Sequence, residues 1–221
     1  MAGTRKPRLT KEEKLAAEVE RTREMYSFER RYMEFAPVCG IDEVGRGPLA
    51  GPVVACAAVL PEDHEILYLN DSKKLTELRR NKLSEQILSE ALAVGIGIVS
   101  WEAIDEINIL NATYEAMRQA IGKLSVRPGI LLNDAVKIPG VDIRQIPIIK
   151  GDAQCASIAA ASIVAKVKRD TMMVEYDKIY PGYGFAKNKG YGTAEHIAAL
   201  KELGPCPIHR RSFIRKFVTE V

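Results

Sequence analysis

The sequence predicts an α/β fold, a mixed β-sheet flanked by helices, with a small, mostly helical C-terminal part. Three observations predict it. Short apolar runs bounded by glycine and proline come early and lie next to one another or one helix apart. Later apolar runs alternate with stretches of helical spacing, the pattern of layered α/β domains. A glycine- and tyrosine-rich loop and a short helical stretch then close the chain.

Residues 1–36 differ from the rest of the chain. Lys11 to Met33 is dense in charge, with a broken apolar stripe through Leu15, Val19 and Tyr26, and reads as a solvated or loosely docked helix. Val38 to Asp42 is a short strand, and Pro52 to Leu60 a longer one bounded by Gly51-Pro52 and Pro61. Thr76 to Ala93 reads as a helix with Leu78, Leu83, Ile87 and Leu88 on its inner face. Val94, Ile96 and Ile98 alternate with Gly95, Gly97 and Val99, giving a closely packed strand. Leu110, Tyr114, Met117, Ile121 and Leu124 recur at helical spacing and read as core, until Pro128-Gly129 breaks the helix. Ile130 to Leu132 starts a buried strand ending in Asn133-Asp134, and Ile146 to Ile149 another ending before Gly151-Asp152. A long helix crowded with small residues runs from about Ser157 through Val167, which implies tight packing on the sheet. Pro181-Gly182 ends it or its continuation, and a short helix spans about Thr193 to Leu203.

The 221 residues are 47% hydrophobic and 28% charged, the composition of a soluble globular protein. Cys39, Cys56, Cys155 and Cys206 are far apart with no CxxC pair, which argues against a structural zinc site. Three of them sit among apolar or small residues and read as buried thiols of a reducing compartment. The charged N-terminus predicts no secretory signal, the longest apolar run is too short to cross a bilayer, and the expected location is the cytoplasm. Net charge is only +3, but from Lys150 to Val221 there are 12 Lys and Arg against 7 Asp and Glu. That excess suits a phosphate-facing surface, and suits a solvated face equally well.

Asp42, Asp134 and Asp152 each end an apolar, strand-like run, and Glu43 comes directly after Asp42. Ligands bind at strand ends in α/β sheets. Neighbouring strand residues point to opposite faces, so Asp42 and Glu43 share one site only if the strand ends or bulges there. Gly45 and Gly47 permit such a bend and leave bare amides beside it. Four converging carboxylates repel one another and have raised pKa values unless divalent cations fill the site. Oxygen donors favour magnesium or manganese, and two ions roughly 4 Å apart suit in-line attack on a phosphodiester. Each acid also has a plainer reading. Asp-Glu-Gly is ordinary turn chemistry, Asp152 precedes a helix it could cap, and Asp134 could end a strand in a turn. Asp63, Asp71, Asp105 and Asp142 read as loop, cap or surface acids.

These residues resemble bacterial ribonuclease HII. The match runs through Gly40 to Val54, Asp71 to Leu75, Ile109 to Thr113, Lys150 to Asp152, Ile158 to Ile163 and Ala165 to Val167. It continues in Tyr183 to Phe185, Lys189 to Thr193 and His209-Arg210, and covers about residues 37–213. The resemblance implies a ribonuclease H-like fold and an endonuclease that cuts RNA paired with DNA. It also implies incision 5′ of a single ribonucleotide embedded in DNA, leaving 3′-hydroxyl and 5′-phosphate ends, and hence a place in DNA replication and repair. The metal-binding acids it assigns are Asp42, Glu43, Asp134 and Asp152. Gly45, Arg46 and Gly47 fall on the turn that reads the 2′-hydroxyl, and Tyr191 on the tyrosine that packs on the sugar at the RNA-to-DNA junction. Apart from the resemblance, Ser72, Lys73, Lys74 and Lys166 are read as phosphate contacts, the plainer reading of a loop lysine being a solvated side chain. Ala135 stands after the third acid where the family commonly has glycine, and alanine is accommodated there if the backbone φ is negative.

On this reading residues 37–180 form the catalytic domain, 181–221 a substrate-contacting loop and helical region, and 1–36 a charged helical extension. A monomer is expected. A sliding-clamp contact near Phe213 to Val221 is conceivable. The rivals are a ribonuclease HIII-like nuclease and a non-catalytic hybrid-binding module. The first typically has Gly-Lys-Gly where Gly45-Arg46-Gly47 stands, and a folded N-terminal domain. The second has no need of all four acids.

Overall fold

The run Val53–Val59 is buried along its whole length. A strand hides every side chain only when both faces of its sheet are covered. The computed structural model, which describes residues 10–218, has that architecture. Its strands are β1 (Val38–Val44), β2 (Val53–Val59), β3 (Ala93–Val99), β4 (Ile130–Asp134) and β5 (Arg144–Ile148). Among the described residues they form one five-stranded sheet of order β3-β2-β1-β4-β5. β1–β2 and β2–β3 are antiparallel, and β1–β4 and β4–β5 are parallel, so the sheet is mixed as expected.

The helices are α1 (Lys11–Met25), α2 (Ser27–Arg31), α3 (Glu77–Glu90), α4 (Trp101–Gly122), α5 (Gly151–Gln154) and α6 (Ala156–Ile179). The C-terminal part adds α7 (Phe185–Asn188), α8 (Ala194–Leu203) and α9 (Arg211–Ile214). The period-two alternation of β2 divides the core. Val54, Cys56 and Ala58 pack with Ile163 of α6 and Leu83 and Ile87 of α3. Val53, Ala55, Ala57 and Val59 pack with Ile104, Met117 and Ala120 of α4. Small residues set the close approach on both sides. Alanines 159, 160 and 161 of α6 are fully buried, and a Cβ on Gly97 of β3 would stand 1.8 Å from the Ala116 carbonyl oxygen.

Several elements differ from expectation. Of the four apolar residues expected on the inner face of α3, Leu83 and Ile87 are buried, while Leu78 and Leu88 are exposed, because a single stripe of the helix meets α6 and the sheet. Leu110 is also exposed. α4 breaks at Asn108 (φ 64°). The Asn108 side-chain oxygen accepts from the amides of Leu110 and Asn111, capping a fresh start, and Leu110 lies in that solvent-facing first turn. β5 begins at Arg144 and leaves Ile149 outside the strand and exposed. All four cysteines are free and buried.

The end of the N-terminal extension is not loosely docked. Met25 and Tyr26 are buried in the core between α6 and the sheet, and the Tyr26 hydroxyl accepts from the Ile66 amide at 3.0 Å. Glu29 of α2 is buried at the start of α6. It accepts from the Ser157 amide at 2.7 Å and from the Cys155 thiol at 3.1 Å. A carboxylate there meets the positive end of the helix dipole and replaces the cap that Cys155 does not supply. This anchors the helix that lies under the acids of β1 and β4.

Candidate active site

β1 keeps regular antiparallel register with β2 through Val44↔Val54, with no bulge. On its other side, pairing with β4 stops at Ile41↔Asn133. Asp42 and Glu43 therefore lie at an open corner where one neighbour has ended, so two consecutive residues reach one space. Continuing the parallel register sets Asp134 level with Asp42. Its carboxylate accepts from the Gly151 amide at 2.8 Å, which ties the end of β4 to α5, the element that carries Asp152.

One pocket of about 380 Å³ collects these groups. Asp42, Glu43, Asp134 and Asp152 line it, together with Ser72, Lys73, Lys166 and Tyr191. Lys74 does not line it. The turn is pinned by the Lys73 amide on the Asp71 carboxylate and the Lys74 amide on the Asp71 carbonyl, so Asp71 is a turn cap as expected. Ser162 also lines the pocket and was not anticipated. Its hydroxyl is 3.0 Å from that of Ser72, and it lies one helical turn before Lys166 on α6. The available signal was a serine set in an alanine-rich helix. A second cavity, of about 400 Å³ beside Tyr26, Val38 and Leu60, shares no residue with this pocket.

Burial pushes the Asp42 carboxyl well above the usual carboxylate range, and the neighbouring Glu43 charge adds to it, while Ser162 pulls the other way. Glu43 is raised mainly by burial, opposed by Arg46, whose guanidinium is 3.3 Å from its Oε1. Asp152 is raised by burial and by the charges of Asp71 and Asp134, opposed by Lys73. The other oxygen of Glu43, Oε2, is buried without a hydrogen-bond partner among the described residues. A crowded acid cluster with an orphaned oxygen fits a divalent cation with oxygen ligands. Among the described residues no three His, Cys, Asp or Glu side chains already stand close enough to clasp an ion.

The Gly45-Arg46-Gly47 turn and Tyr191 stand beside the acids. Gly45 (φ 94°) turns the chain out of β1, and a Cβ there would collide with the Arg169 side chain at 2.3 Å. A Cβ on Gly47 would lie 3.8 Å from the Tyr191 ring, so the turn and the tyrosine flank one surface. Ala135 has φ 54°, so the negative φ that would accommodate alanine without strain is not what the backbone adopts. Its amide is held by the Ile148 carbonyl at 3.0 Å, and left-handed alanine costs about 1–2 kcal/mol.

A buried histidine relay fixes the tyrosine's backbone. The Cys206 amide donates to His209 Nδ1 at 3.0 Å, so the His209 proton lies on Nε2 and donates to His196 Nε2 at 3.1 Å. His196 then donates from Nδ1 to the Tyr191 carbonyl at 2.9 Å. Both rings are neutral. Burial, aided by His196 and Arg211, pushes His209 down to about 4 from its ordinary 6.5. A depressed histidine stabilises the fold above 6.5, and that stability is lost as pH falls from 6.5 toward 4. The raised site acids act in the opposite sense, so the check is local. The imidazole ¹⁵N signals of His209 are expected to remain those of a neutral ring at pH 5.5, and a midpoint near 6.5 would refute the relay.

The ribonuclease HII family profile matches residues 39–216, which span β1 to beyond α9 and all four acids. The chain belongs to the ribonuclease HII family. It is 64% identical over 207 residues to ribonuclease HII of Lachnoclostridium phytofermentans, covering 94% of this chain and 82% of the relative. The solved PCNA:RNase HII complex from Archaeoglobus fulgidus is similar at TM-score 0.67 and 27% identity, covering 82% of this chain and 94% of that one. Bst-RNase HIII in complex with Mn²⁺ shares the fold at TM-score 0.59 and 17% identity, covering 81% and 64%. As a ribonuclease HII, this protein is a metal-dependent endoribonuclease, a hydrolase of RNA in RNA–DNA hybrids. The ribonuclease HIII and non-catalytic readings are set aside by that membership. No helix among the described residues is long and apolar enough to cross a membrane.

Proposed function

We propose that this enzyme also incises DNA immediately 5′ of a single embedded ribonucleotide, with two divalent cations held by Asp42, Glu43, Asp134 and Asp152. The observation that carries this reading is the convergence of the four acids in one pocket beside the Gly45-Arg46-Gly47 turn and Tyr191. Magnesium or manganese bound there would supply an activated water and steady the leaving 3′ oxygen, giving 3′-hydroxyl and 5′-phosphate ends. The chain's residues do the rest. Ser162 orients Asp42, and Lys73 and Lys166 meet the phosphates, Lys166 by exchanging its Asp170 partner at 2.7 Å. Ser72 and Lys74 would contact phosphates flanking the cut. The turn reads the 2′-hydroxyl, the one group that separates RNA from DNA at a given nucleotide. The Tyr191 ring covers the adjoining sugar.

In this reading residues 37–180 carry the chemistry, and 181–221 bring Tyr191 to it. The substrate class places the enzyme in ribonucleotide removal during replication and repair. The packing gives a sliding-clamp contact no support: Ile214 is buried and Phe213, Phe217 and Val218 pack against Leu49 and Leu200. Residues 219–221 lie outside the described residues.

The test is magnesium-dependent cleavage of a labelled DNA duplex containing one ribonucleotide, mapped to the nucleotide. A cut 5′ of the ribonucleotide, abolished by EDTA, is the expected result; cutting only within longer RNA tracts would overturn it. Tyr191→Ala is expected to lower single-ribonucleotide incision by ten- to a hundredfold, on the scale of about 1–3 kcal/mol for an aromatic contact to a nucleotide. Its loss on long hybrids should be smaller, and equal losses on both substrates would remove Tyr191 from the junction-reading role.

A further inference from the structure

Two arginines, Arg169 and Arg210, are completely buried. Among the described residues neither forms a salt bridge or donates to a carboxylate. Buried charge of this kind is expensive and is tolerated only where every donor finds an acceptor. Here the acceptors are backbone carbonyls. Arg210 donates from Nε to Gly51 at 2.9 Å, from Nη1 to Arg46 at 2.9 Å and from Nη2 to Gly45 at 2.6 Å. Arg169 donates to the carbonyls of Pro52, Ala50 and Lys189, and Lys189 lies two residues before Tyr191.

A short backbone pairing delivers Arg210 to this place. Its amide donates to the Leu49 carbonyl at 2.9 Å, and the Gly51 amide donates to Ile208 at 2.9 Å. Peptide planarity carries the effect into the turn. The Gly45 carbonyl shares a plane with the Arg46 amide, and the Arg46 carbonyl shares one with the Gly47 amide. In a trans peptide the two groups point opposite ways. Carbonyls drawn inward to a buried guanidinium turn both amides outward, on the side where Arg46 and Gly47 are exposed and Tyr191 stands. Neither amide has a hydrogen-bond acceptor among the described residues.

We propose that Arg210 is a positioning residue for ribonucleotide recognition: by holding the Gly45 and Arg46 carbonyls inward, it presents the Arg46 and Gly47 amides to the substrate sugar. This rests on the turn's reading of the 2′-hydroxyl. Arginine is required because its planar fork meets three carbonyls at once, whereas a lysine ammonium is a point charge on a flexible stem.

The experiment compares Arg210→Met and Arg210→Lys in the full chain. Each is placed on an Asp42→Asn background, so that binding is read without cleavage. Affinity is measured for a duplex with one central ribonucleotide and for the same duplex in all-DNA form. Asp42→Asn alone is expected to prefer the ribonucleotide duplex. Adding Arg210→Met should bring that preference within twofold of none while affinity for all-DNA duplex changes less than threefold. Arg210→Lys should restore part of the preference. With Asp42 intact, Arg210→Met should lower kcat/KM on the single-ribonucleotide duplex at least tenfold, with KM rising in step with the lost preference. A folded Arg210→Met that keeps the full preference overturns the proposal, and if that variant does not fold, the same criterion applies to Arg210→Lys. Absence of any preference in Asp42→Asn alone would overturn the turn's reading of the 2′-hydroxyl itself, and the role of Arg210 with it.

Discussion

Asp42→Asn is expected to abolish cleavage, by a factor of about a thousand or more, without weakening the fold. Asn has the same shape as Asp and keeps a side-chain oxygen, so the bond that Asp42 Oδ1 accepts from the Glu43 amide at 2.8 Å survives. The negative charge is what disappears. Asp42 is the most buried of the four acids, and its charged form is opposed both by burial and by the charges of Glu43 and Asp134. Removing that charge relieves repulsion in the metal-free protein, so its melting temperature should be unchanged or higher. The same charge would hold a divalent cation, and loss of a ligand that polarises attacking and leaving oxygens forfeits several kcal/mol of transition-state stabilisation. Two measurements separate these effects: cleavage of an RNA–DNA hybrid, and thermal melting with and without magnesium. Wild type should melt higher when magnesium is added, because an ion that binds only the folded state stabilises it, and the variant should show a smaller rise. Cleavage within tenfold of wild type would remove Asp42 from the metal site.

The positions of the acids were legible because a strand end is visible in sequence. Apolar runs stop at Asp42, Asp134 and Gly151-Asp152, and parallel register then brings those ends together. The sequence alone did not show why Asp42 and Glu43 serve one site. The reason is that β4 ends two residues earlier in register than the β1–β2 ladder, a property of neighbouring strands and not of β1 itself. Charge was the least legible signal. A lysine or arginine in a sequence reads as solvated, yet Arg169 and Arg210 are buried and Lys166 is half-buried against Asp170. Lys73 and Lys74 are adjacent, and only the Asp71 turn decides which one enters the pocket. The handedness of Ala135 was hidden for a similar reason. Residue type favours negative φ there, and the bond to the Ile148 carbonyl overrides it. The broken apolar stripe of the extension concealed that Met25, Tyr26 and Glu29 anchor α6.

Gly40→Ala is expected to be the most damaging single-methyl change near the site. The Cβ it adds would stand 2.1 Å from the Ser157 carbonyl carbon and 2.3 Å from the Ile158 amide nitrogen, both backbone atoms in the first turn of α6. Neither can rotate away, so the helix or the strand must move. Both are held. Gly40 pairs with Ala58 on one side and Leu132 on the other, in the middle of the sheet, and Ser157 is fixed by the 2.7 Å bond to Glu29. Overpacking a core by one methyl costs about 1–3 kcal/mol where side chains can give, and more where only backbone is available. A loss of about 3 kcal/mol lowers the melting temperature of a chain this size by roughly 6–12 °C. The displacement also reaches the chemistry. Asp42 lies two residues beyond Gly40 on the same face of β1, and Ser162 lies one turn beyond Ile158 on α6, so separating strand from helix separates Ser162 from the carboxylate it orients. Activity, assayed well below the lowered melting temperature, should therefore fall at least tenfold, more than the folded fraction accounts for. A variant that melts within 2 °C of wild type and cuts at the wild-type rate would show that α6 has room to shift, and that contact between β1 and α6 sets neither the stability nor the placement of Asp42.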